Sequence, residues 1–243
     1  MPSETVQFGS DGGRAEGYLA VPESGEGAGV VVLQEWWGLV QHVKDVCDRF
    51  AAEGFVALAP DLYHGRSTTS PDEAGKMMMA LNIDQTEKDL RGAIRFLLAH
   101  PAAAGARVGT VGFCMGGALS LYAASKNEQV GACVVFYGVH PNVKPDLENL
   151  RAPVLGLFAE RDKSVPPASV RALERRLNEL GKPNEMHIYP GAGHAFFNDT
   201  RPEVYEPEAA RDAWQRTISF LRANLLSGSE AGGGGGGRGA PAA

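Results

Sequence analysis

Short apolar runs rich in β-branched residues alternate with amphipathic helical segments along most of this chain. The run VVVLQ at residues 30–34 has no polar face, and the segment 40–53 that follows repeats apolar residues at helical spacing from Val43 to Phe50. Continuous apolar strands are typical of parallel sheets that are covered by helices on both faces. The sequence therefore predicts an α/β fold with a mostly parallel twisted sheet and helices on both faces.

The same patterns predict the order of the elements. An edge hairpin is expected at residues 5–8 and 14–21, joined by the turn sequence SDGG. Further strands are predicted at residues 30–34, 55–62, 107–113, 132–137, 153–159 and 185–189. Helices are predicted at residues 40–53, 84–100, 115–125, 167–180 and 208–225. We find no internal repeat and no second domain boundary, so we expect one domain over residues 1–226. Residues 227–243 lack apolar content, and a flexible glycine-rich tail is predicted there.

Composition and charge exclude several functions. The net charge of −6 disfavours nonspecific binding of nucleic acid, because phosphate attracts Lys and Arg. No apolar run approaches the roughly 18 residues of a membrane span, and the first residues do not resemble a secretory signal. Three cysteines without paired spacing favour free thiols in a reducing compartment, so we expect a cytoplasmic protein. We interpret Cys47 and Cys133 as structural, and no Cys/His cluster has the spacing of a metal site.

The stretch VGTVGFCMGGA at residues 108–118 places Cys114 between glycines, where a predicted strand turns into a predicted helix. The letters GFCMG fit the pattern Gly-x-nucleophile-x-Gly, with cysteine where serine is more usual. Such a turn crowds the positions two before and two after the nucleophile, and glycine avoids the clash. Free N–H groups at the helix start favour a thiolate, and the N–H of Met115 can face an oxyanion. We interpret Cys114 as a nucleophile rather than as a buried structural cysteine.

A nucleophilic thiol needs a base, and the base needs an orienting acid. In this architecture the chain order is nucleophile, acid, histidine, and each follows the carboxyl end of a strand. Among the six histidines, only His194 in the loop GAGHAFF has both the order and the placement. The acid is expected in AERDKSVPP, after the strand at 153–159. Asp162 lies farther past the strand end and is preferred, with Glu160 as the alternative.

The loop QEWWGL at residues 34–39 follows a buried strand, where this architecture supplies the second oxyanion N–H. The backbone N–H of Trp36 is our candidate. Trp36 and Trp37 could wall an apolar pocket, although core packing is expected for one of them. Glu35 is a carboxylate at the end of a buried strand, which is costly unless it is paired. It could accept hydrogen bonds from backbone N–H groups or tune the proton of the thiol, and both interpretations stay open.

Five stretches together resemble the dienelactone hydrolase family, also called carboxymethylenebutenolidases: QEWWGL, ALAPDLYHG, GFCMGG, AERDKSVPP and YPGAGHAFF. The similarity runs from about residue 29 to residue 225. The resemblance implies an α/β-hydrolase fold, no cofactor, and a catalytic triad of Cys114, Asp162 and His194. It also implies that Glu35 interacts with the resting thiol and helps to deprotonate it when substrate arrives.

The chain departs from the family pattern where the best-studied members bind a substrate carboxylate with arginines. Four residues after the histidine, where those members have arginine, this chain has Asn198. Directly after the histidine, where they have serine, it has Ala195. In the family a second arginine comes from the loop after the DLY stretch, and Arg66 in that loop is no clear counterpart of it. Arg201 could substitute, farther along the histidine loop. The resemblance therefore implies the hydrolase chemistry, with oxyanion donors at Trp36 and Met115, but it does not imply the chlorinated-aromatic pathway substrate.

The sequence thus predicts a cysteine-dependent hydrolase of lactones or activated carboxylic esters that works through an acyl-enzyme. The alternatives are a thiol-redox-regulated protein and a catalytically silent binding protein on the same fold. A small-molecule substrate is expected, without nucleic acid, membrane or metal, and both a monomer and a small homo-oligomer stay open. The candidate pocket residues are Trp37, Tyr63, Tyr137, Phe196, Phe197 and Arg201. For the two tyrosines and the two phenylalanines among them, aromatic core packing is the favoured role.

Overall fold

The computed structural model describes residues 2–11 and 13–226, so the tail predicted at 227–243 lies outside the described residues. Within these ranges one sheet is built from eight strands, namely β1 (Ser3–Ser10), β2 (Gly13–Ala20), β3 (Gly27–Leu33), β4 (Val56–Pro60), β5 (Ala103–Phe113), β6 (Val130–Phe136), β7 (Val154–Ala159) and β8 (Asn184–Tyr189). The strand order is β1-β2-β4-β3-β5-β6-β7-β8. One domain over 1–226 stays a prediction.

The sheet is antiparallel at one edge and parallel elsewhere. β1 and β2 form the predicted hairpin, and β2 also pairs antiparallel with β4. All pairs from β4 through β3 to β8 are parallel. The parallel strands β3, β4, β6 and β7 are buried almost along their whole length, as their continuous apolar runs predict.

Helices cover both faces of the sheet, which confirms the predicted fold class. The helices are α1 (Gln41–Ala52), α2 (Pro71–Met79), α3 (Ile83–Ala99), α4 (Met115–Lys126), α5 (Pro167–Glu179) and α6 (Pro207–Leu225). Helices α1 and α6 share one apolar cluster with the sheet, while α3, α4 and α5 share the cluster on the other face. None of the helices in the described ranges is both long and apolar enough to cross a bilayer.

The sequence analysis did not predict α2. This helix has nine residues, and only Ala74 and Met77 are buried, so its apolar repeat is too short to stand out. Local signals are nevertheless present, because Pro71 is its first residue and two carboxylates occupy its first turn. The helix extends the loop after β4 and lies over the loop after β3, where Gly75 faces the ring of Trp36.

The turn from β5 into α4 depends on close backbone approaches. A Cβ at Gly112 would overlap the carbonyl group of Gly116, and one at Gly116 would overlap the carbonyl oxygen of Leu33. Only glycine lets the first turn of α4 lie this close to β3 and β5. Between these two glycines, Cys114 has φ of 54° and ψ of −118°, a backbone conformation that residues other than glycine rarely adopt.

Replacement of Gly112 by alanine should lower the free energy of unfolding by about 3 kcal/mol or more, because the new methyl group must displace backbone. Gly9→Ala is the matched control, since no atom lies within 4 Å of its added methyl. The control should change the free energy by no more than about 0.5 kcal/mol. Urea unfolding followed by circular dichroism measures both, and equal losses would contradict the packing argument.

Candidate active site

Cys114 lies at the carboxyl end of β5, between β3 and β6 in the sheet. Its N–H donates to the carbonyl oxygen of Phe136 (3.1 Å), and its own carbonyl oxygen accepts from the N–H groups of Gly117 (2.9 Å) and Val139 (3.1 Å). Bonds to two neighbouring segments therefore hold the residue in its strained conformation. The residue is 7% exposed, so it is almost entirely buried.

The other two thiols are in different surroundings. Cys47 and Cys133 are free and fully buried, in α1 and β6. Burial raises the pKa of Cys133 to about 11 and that of Cys47 well above its ordinary value. Both thiols therefore stay protonated at neutral pH, in line with their interpretation as structural.

His194 and Asp162 form a short hydrogen bond between two loops. The imidazole Nδ1 lies 2.6 Å from Oδ2 of Asp162, and Oδ1 of the same carboxylate accepts from the N–H groups of Ser164 (2.7 Å) and Val165 (3.0 Å). The alternative acid, Glu160, is exposed, and its Oε2 accepts from the N–H of Gly191 (2.9 Å). The acid bonded to the imidazole is thus Asp162.

Electrostatics favour the charged form of both partners. Burial alone would lower the pKa of His194, but the Asp162 carboxylate and the Cys114 thiol outweigh burial and raise it to about 10. Burial alone would raise the pKa of Asp162, but the hydrogen bonds from His194 and from the two backbone N–H groups hold it below its usual range. At neutral pH the imidazole therefore keeps its second proton, which is the state that a thiolate–imidazolium pair requires.

Glu35, at the end of β3, is buried and bonded to the histidine loop. Its Oε2 accepts from Nδ2 of Asn198 (2.7 Å), and Oδ1 of Asn198 accepts from the N–H (3.1 Å) and hydroxyl (2.6 Å) of Thr200. The partner of Glu35 is thus a side-chain amide rather than backbone N–H groups. Sequence analysis noted Asn198 only as a departure from the family arginine and missed this contact. The carboxylate of Glu35 needed a buried donor, but nothing local in the sequence indicates that the donor comes from residue 198.

Tyr137 is fully buried, with φ of 38°, and its ring centroid lies 5.0 Å from that of His194. Burial first, and then the negative charge of Glu35 and Cys114, raises its pKa well above the ordinary value. Neither the Tyr137 hydroxyl nor Oε1 of Glu35 makes a well-formed hydrogen bond within the described part of the chain. The two buried polar atoms interact with each other instead, because Glu35 acts on the Tyr137 hydroxyl through its charge and a side-chain hydrogen bond.

Among the other candidate pocket residues, Trp37 and Arg201 line a cavity and Tyr63 contacts the start of α4, whereas the two phenylalanines lie in the core. Trp37 lies beside Trp36 (ring centroids 5.2 Å apart) and lines a cavity of about 370 Å³ together with Arg201, whose guanidinium lies 5.5 Å from the Trp37 ring centroid. The Tyr63 hydroxyl donates to the sulfur of Met115 (3.2 Å) at the start of α4.

Phe196 and Phe197 are placed in the core behind the site. Phe196 packs against Tyr137 (5.3 Å between ring centroids), and Phe197 stacks on Phe113 (5.2 Å). Both phenylalanines are at most 1% exposed, and neither lines the cavity beside Trp37. Their contacts support the ring of Tyr137 and the end of β5.

Side chains that follow three parallel strands thus meet at the carboxyl end of one sheet, with a thiol on the sharp strand-to-helix turn. This arrangement, on a mostly parallel sheet with helices on both faces, defines an α/β hydrolase.

Comparison with known proteins narrows this class. The sequence matches the profile of the dienelactone hydrolase family over residues 15–225. It is 38% identical to "Protein usf" of Aquifex pyrophilus and 34% identical to a "Putative carboxymethylenebutenolidase" of Aquifex aeolicus, in each case over 91% of this chain and 99% of the relative. A crystal structure described as "Putative Dienelactone Hydrolase" from Klebsiella pneumoniae has a TM-score of 0.81 at 29% identity, over 91% of this chain and 99% of that one.

The chain belongs to the dienelactone hydrolase family. It is therefore a hydrolase of the class that acts on lactones and carboxylic esters.

Asp162→Asn should lower the pKa of His194 from about 10, because the neutral amide no longer stabilises the imidazolium. Histidine NMR titration measures this pKa directly, with the His194 signal assigned from a His194→Gln sample. Glu160→Gln is the matched control, since that carboxylate contacts Gly191 instead of the imidazole. A His194 pKa that responds equally to both substitutions would contradict the assigned pair.

Proposed function

We propose that the protein hydrolyses lactones and activated carboxylic esters through an acyl-enzyme on Cys114. In this proposal His194 is the base and acid, and Asp162 orients it. The main support is the 2.6 Å hydrogen bond that aligns His194 with Asp162. In addition, the hydrogen bond and the charge interaction with Cys114 contribute to the raised pKa of His194. A charged imidazole beside a thiol at a helix start favours the thiolate, which is the reactive nucleophile.

In the first half of the reaction, the thiol proton resides on Nε2 of His194 and the thiolate attacks the ester carbonyl. The backbone N–H groups of Trp36 and Met115 receive the developing oxyanion. Neither of them donates a hydrogen bond elsewhere in the described residues, which leaves both free for this role. In serine enzymes, one such donor contributes about 3–4 kcal/mol to transition-state stabilisation.

In the second half, the tetrahedral intermediate collapses, and the leaving alkoxide takes the proton from His194. Water then attacks the thioester, while the neutral imidazole removes the water proton. The acid is released when the thiolate leaves, and the imidazolium remains beside it. Because a thiolate is a good leaving group, activated carbonyls such as enol lactones suit this site better than unactivated amides.

We further propose that Glu35 tunes the proton of the Cys114 thiol. This role is supported by Tyr137, because the charges of Glu35 and of Cys114 both act on its hydroxyl and the two groups are therefore near each other. The remaining alternative is structural, in which Glu35 only anchors Asn198 and the histidine loop. The free cysteines also support a cytoplasmic location. Oligomeric state stays open between a monomer and a small homo-oligomer.

Cys114→Ala should reduce hydrolysis of p-nitrophenyl acetate at least about 10³-fold while the fold is retained, because the nucleophile is removed and only one buried atom is lost. Cys47→Ala, in the core of α1, is the matched control and should keep its activity. Steady-state kinetics and thermal unfolding measure the two effects. Activity that survives in the Cys114 variant would reject the proposed nucleophile.

Glu35→Gln should shift the pH profile of kcat/KM or slow acylation if the carboxylate tunes the thiol proton. The substitution keeps the size of the side chain and the amide-to-oxygen bond from Asn198, so a purely structural role predicts little change in the profile. Stopped-flow measurement of p-nitrophenol release across a pH series tests this. An unchanged profile with unchanged acylation would assign Glu35 to structure alone.

A further inference from the structure

Two cavities flank the Cys114 position on opposite sides of β5, and they differ in charge. The first, which we call the arginine cavity, has about 370 Å³ and is lined by the loops after β3, β4 and β8, including Trp37, Thr68 and Arg201. The second, the valine cavity, has about 310 Å³ and lies between α4, α5 and the ends of β6 and β7. Since β5 lies between β3 and β6, one cavity is on each side of the nucleophile.

The valine cavity is bounded by the loops that hold the proposed catalytic residues. Val139, in its wall, donates its N–H to the carbonyl oxygen of Cys114 (3.1 Å). Val165, in the opposite wall, donates its N–H to the carboxylate of Asp162 (3.0 Å). Both bonds tie the cavity wall to the segments that carry Cys114 and Asp162. The cavity also includes Gly117, three residues after Cys114, so it lies beside the segment of the nucleophile, within reach of a substituent on a bound ester.

The lining of the valine cavity carries no Asp, Glu, Lys or Arg. Its one titratable residue, His140, is buried and has both ring nitrogens engaged: Nε2 lies 3.0 Å from the carbonyl oxygen of Met78, and Nδ1 accepts from the N–H of Asn142 (3.1 Å). Burial lowers the pKa of His140, so the ring is neutral. A charged group placed here would lose its hydration without gaining a partner, whereas a hydrocarbon would be stabilised.

The arginine cavity is lined by more polar residue types, although Trp37 and Val40 also contribute to its wall. Arg201 lies over the ring of Trp37, and threonine side chains, among them Thr68 and Thr200, add hydroxyl groups. His42, also in this wall, has a buried Nε2 without a hydrogen-bond partner in the described residues. The Arg201 guanidinium is also paired with Glu203 (2.8 Å), so its charge is partly compensated. A polar substituent therefore meets hydrogen-bonding groups on this side of the nucleophile.

We propose that the valine cavity binds an uncharged hydrocarbon arm of the substrate. The preferred substrates are then esters or lactones with an apolar substituent on one side of the scissile group and a polar one on the other. This inference rests on the proposed function, because it assumes that the ester is attacked at Cys114. It adds a substrate class that the hydrolase chemistry alone does not define.

The test uses two ester series in the wild-type protein: p-nitrophenyl esters from acetate to octanoate, and acetate esters of alcohols of the same lengths. In one of these series kcat/KM should rise about 3–4-fold per added methylene until the cavity is filled. Val143→Phe, which fills the cavity from the loop after β6, should abolish that rise and leave p-nitrophenyl acetate kinetics close to wild type.

Leu173→Phe fills the same cavity from α5 and gives the same test if the Val143 variant does not fold. The matched control is Val204→Phe, a valine that lines neither cavity, and it should keep the rise. Two flat series in a wild type whose acetate hydrolysis requires Cys114 would overturn this inference and leave the proposed function intact. If Val204→Phe abolished the chain-length dependence of kcat/KM as fully as the cavity variants do, the inference would also be overturned. Acetate hydrolysis that persists in Cys114→Ala would instead reject the proposed function.

Discussion

The contact between the first turn of α4 and the end of β3 is the constraint on which the site depends. Gly116 lies against the carbonyl groups of Leu33 and Gln34, so closely that no side chain fits between them. This approach forces the chain to reverse within one residue, and Cys114 is that residue. The same contact brings the loop after β3, with Glu35 and Trp36, next to the thiol. The close packing of these two backbone segments therefore positions Cys114, Glu35 and the backbone N–H groups that we propose as oxyanion donors.

The pair of His194 and Asp162 shows a competition between desolvation and hydrogen bonding. Burial by itself favours the neutral forms of His194 and Asp162. The short bond between them, and the two backbone donors to Asp162, reverse that preference for both. The pair can thus remain charged in a mostly apolar surrounding, where its influence on the adjacent thiol is stronger than it would be in water.

Sequence patterns predicted the features that depend on local periodicity and backbone sterics. The apolar runs located the strands and five of the six helices in the described ranges, and the glycine spacing located the turn at Cys114. Contacts between segments that are distant in the sequence could not be predicted in this way. Asn198 binds Glu35 across the fold, and Phe197 stacks on Phe113 from a separate loop. Both depend on how separate loops meet, and no local pattern records that.

The hydrogen bond between Glu35 and Asn198 joins residues 163 positions apart in the chain. During synthesis the amino-terminal part of the sheet emerges long before its amide partner does. Until the carboxyl-terminal segment docks, the carboxylate at the end of β3 has to stay hydrated, which keeps that strand end open. We therefore expect the site to be completed late in folding, because Glu35 gains its amide partner only when the histidine loop docks.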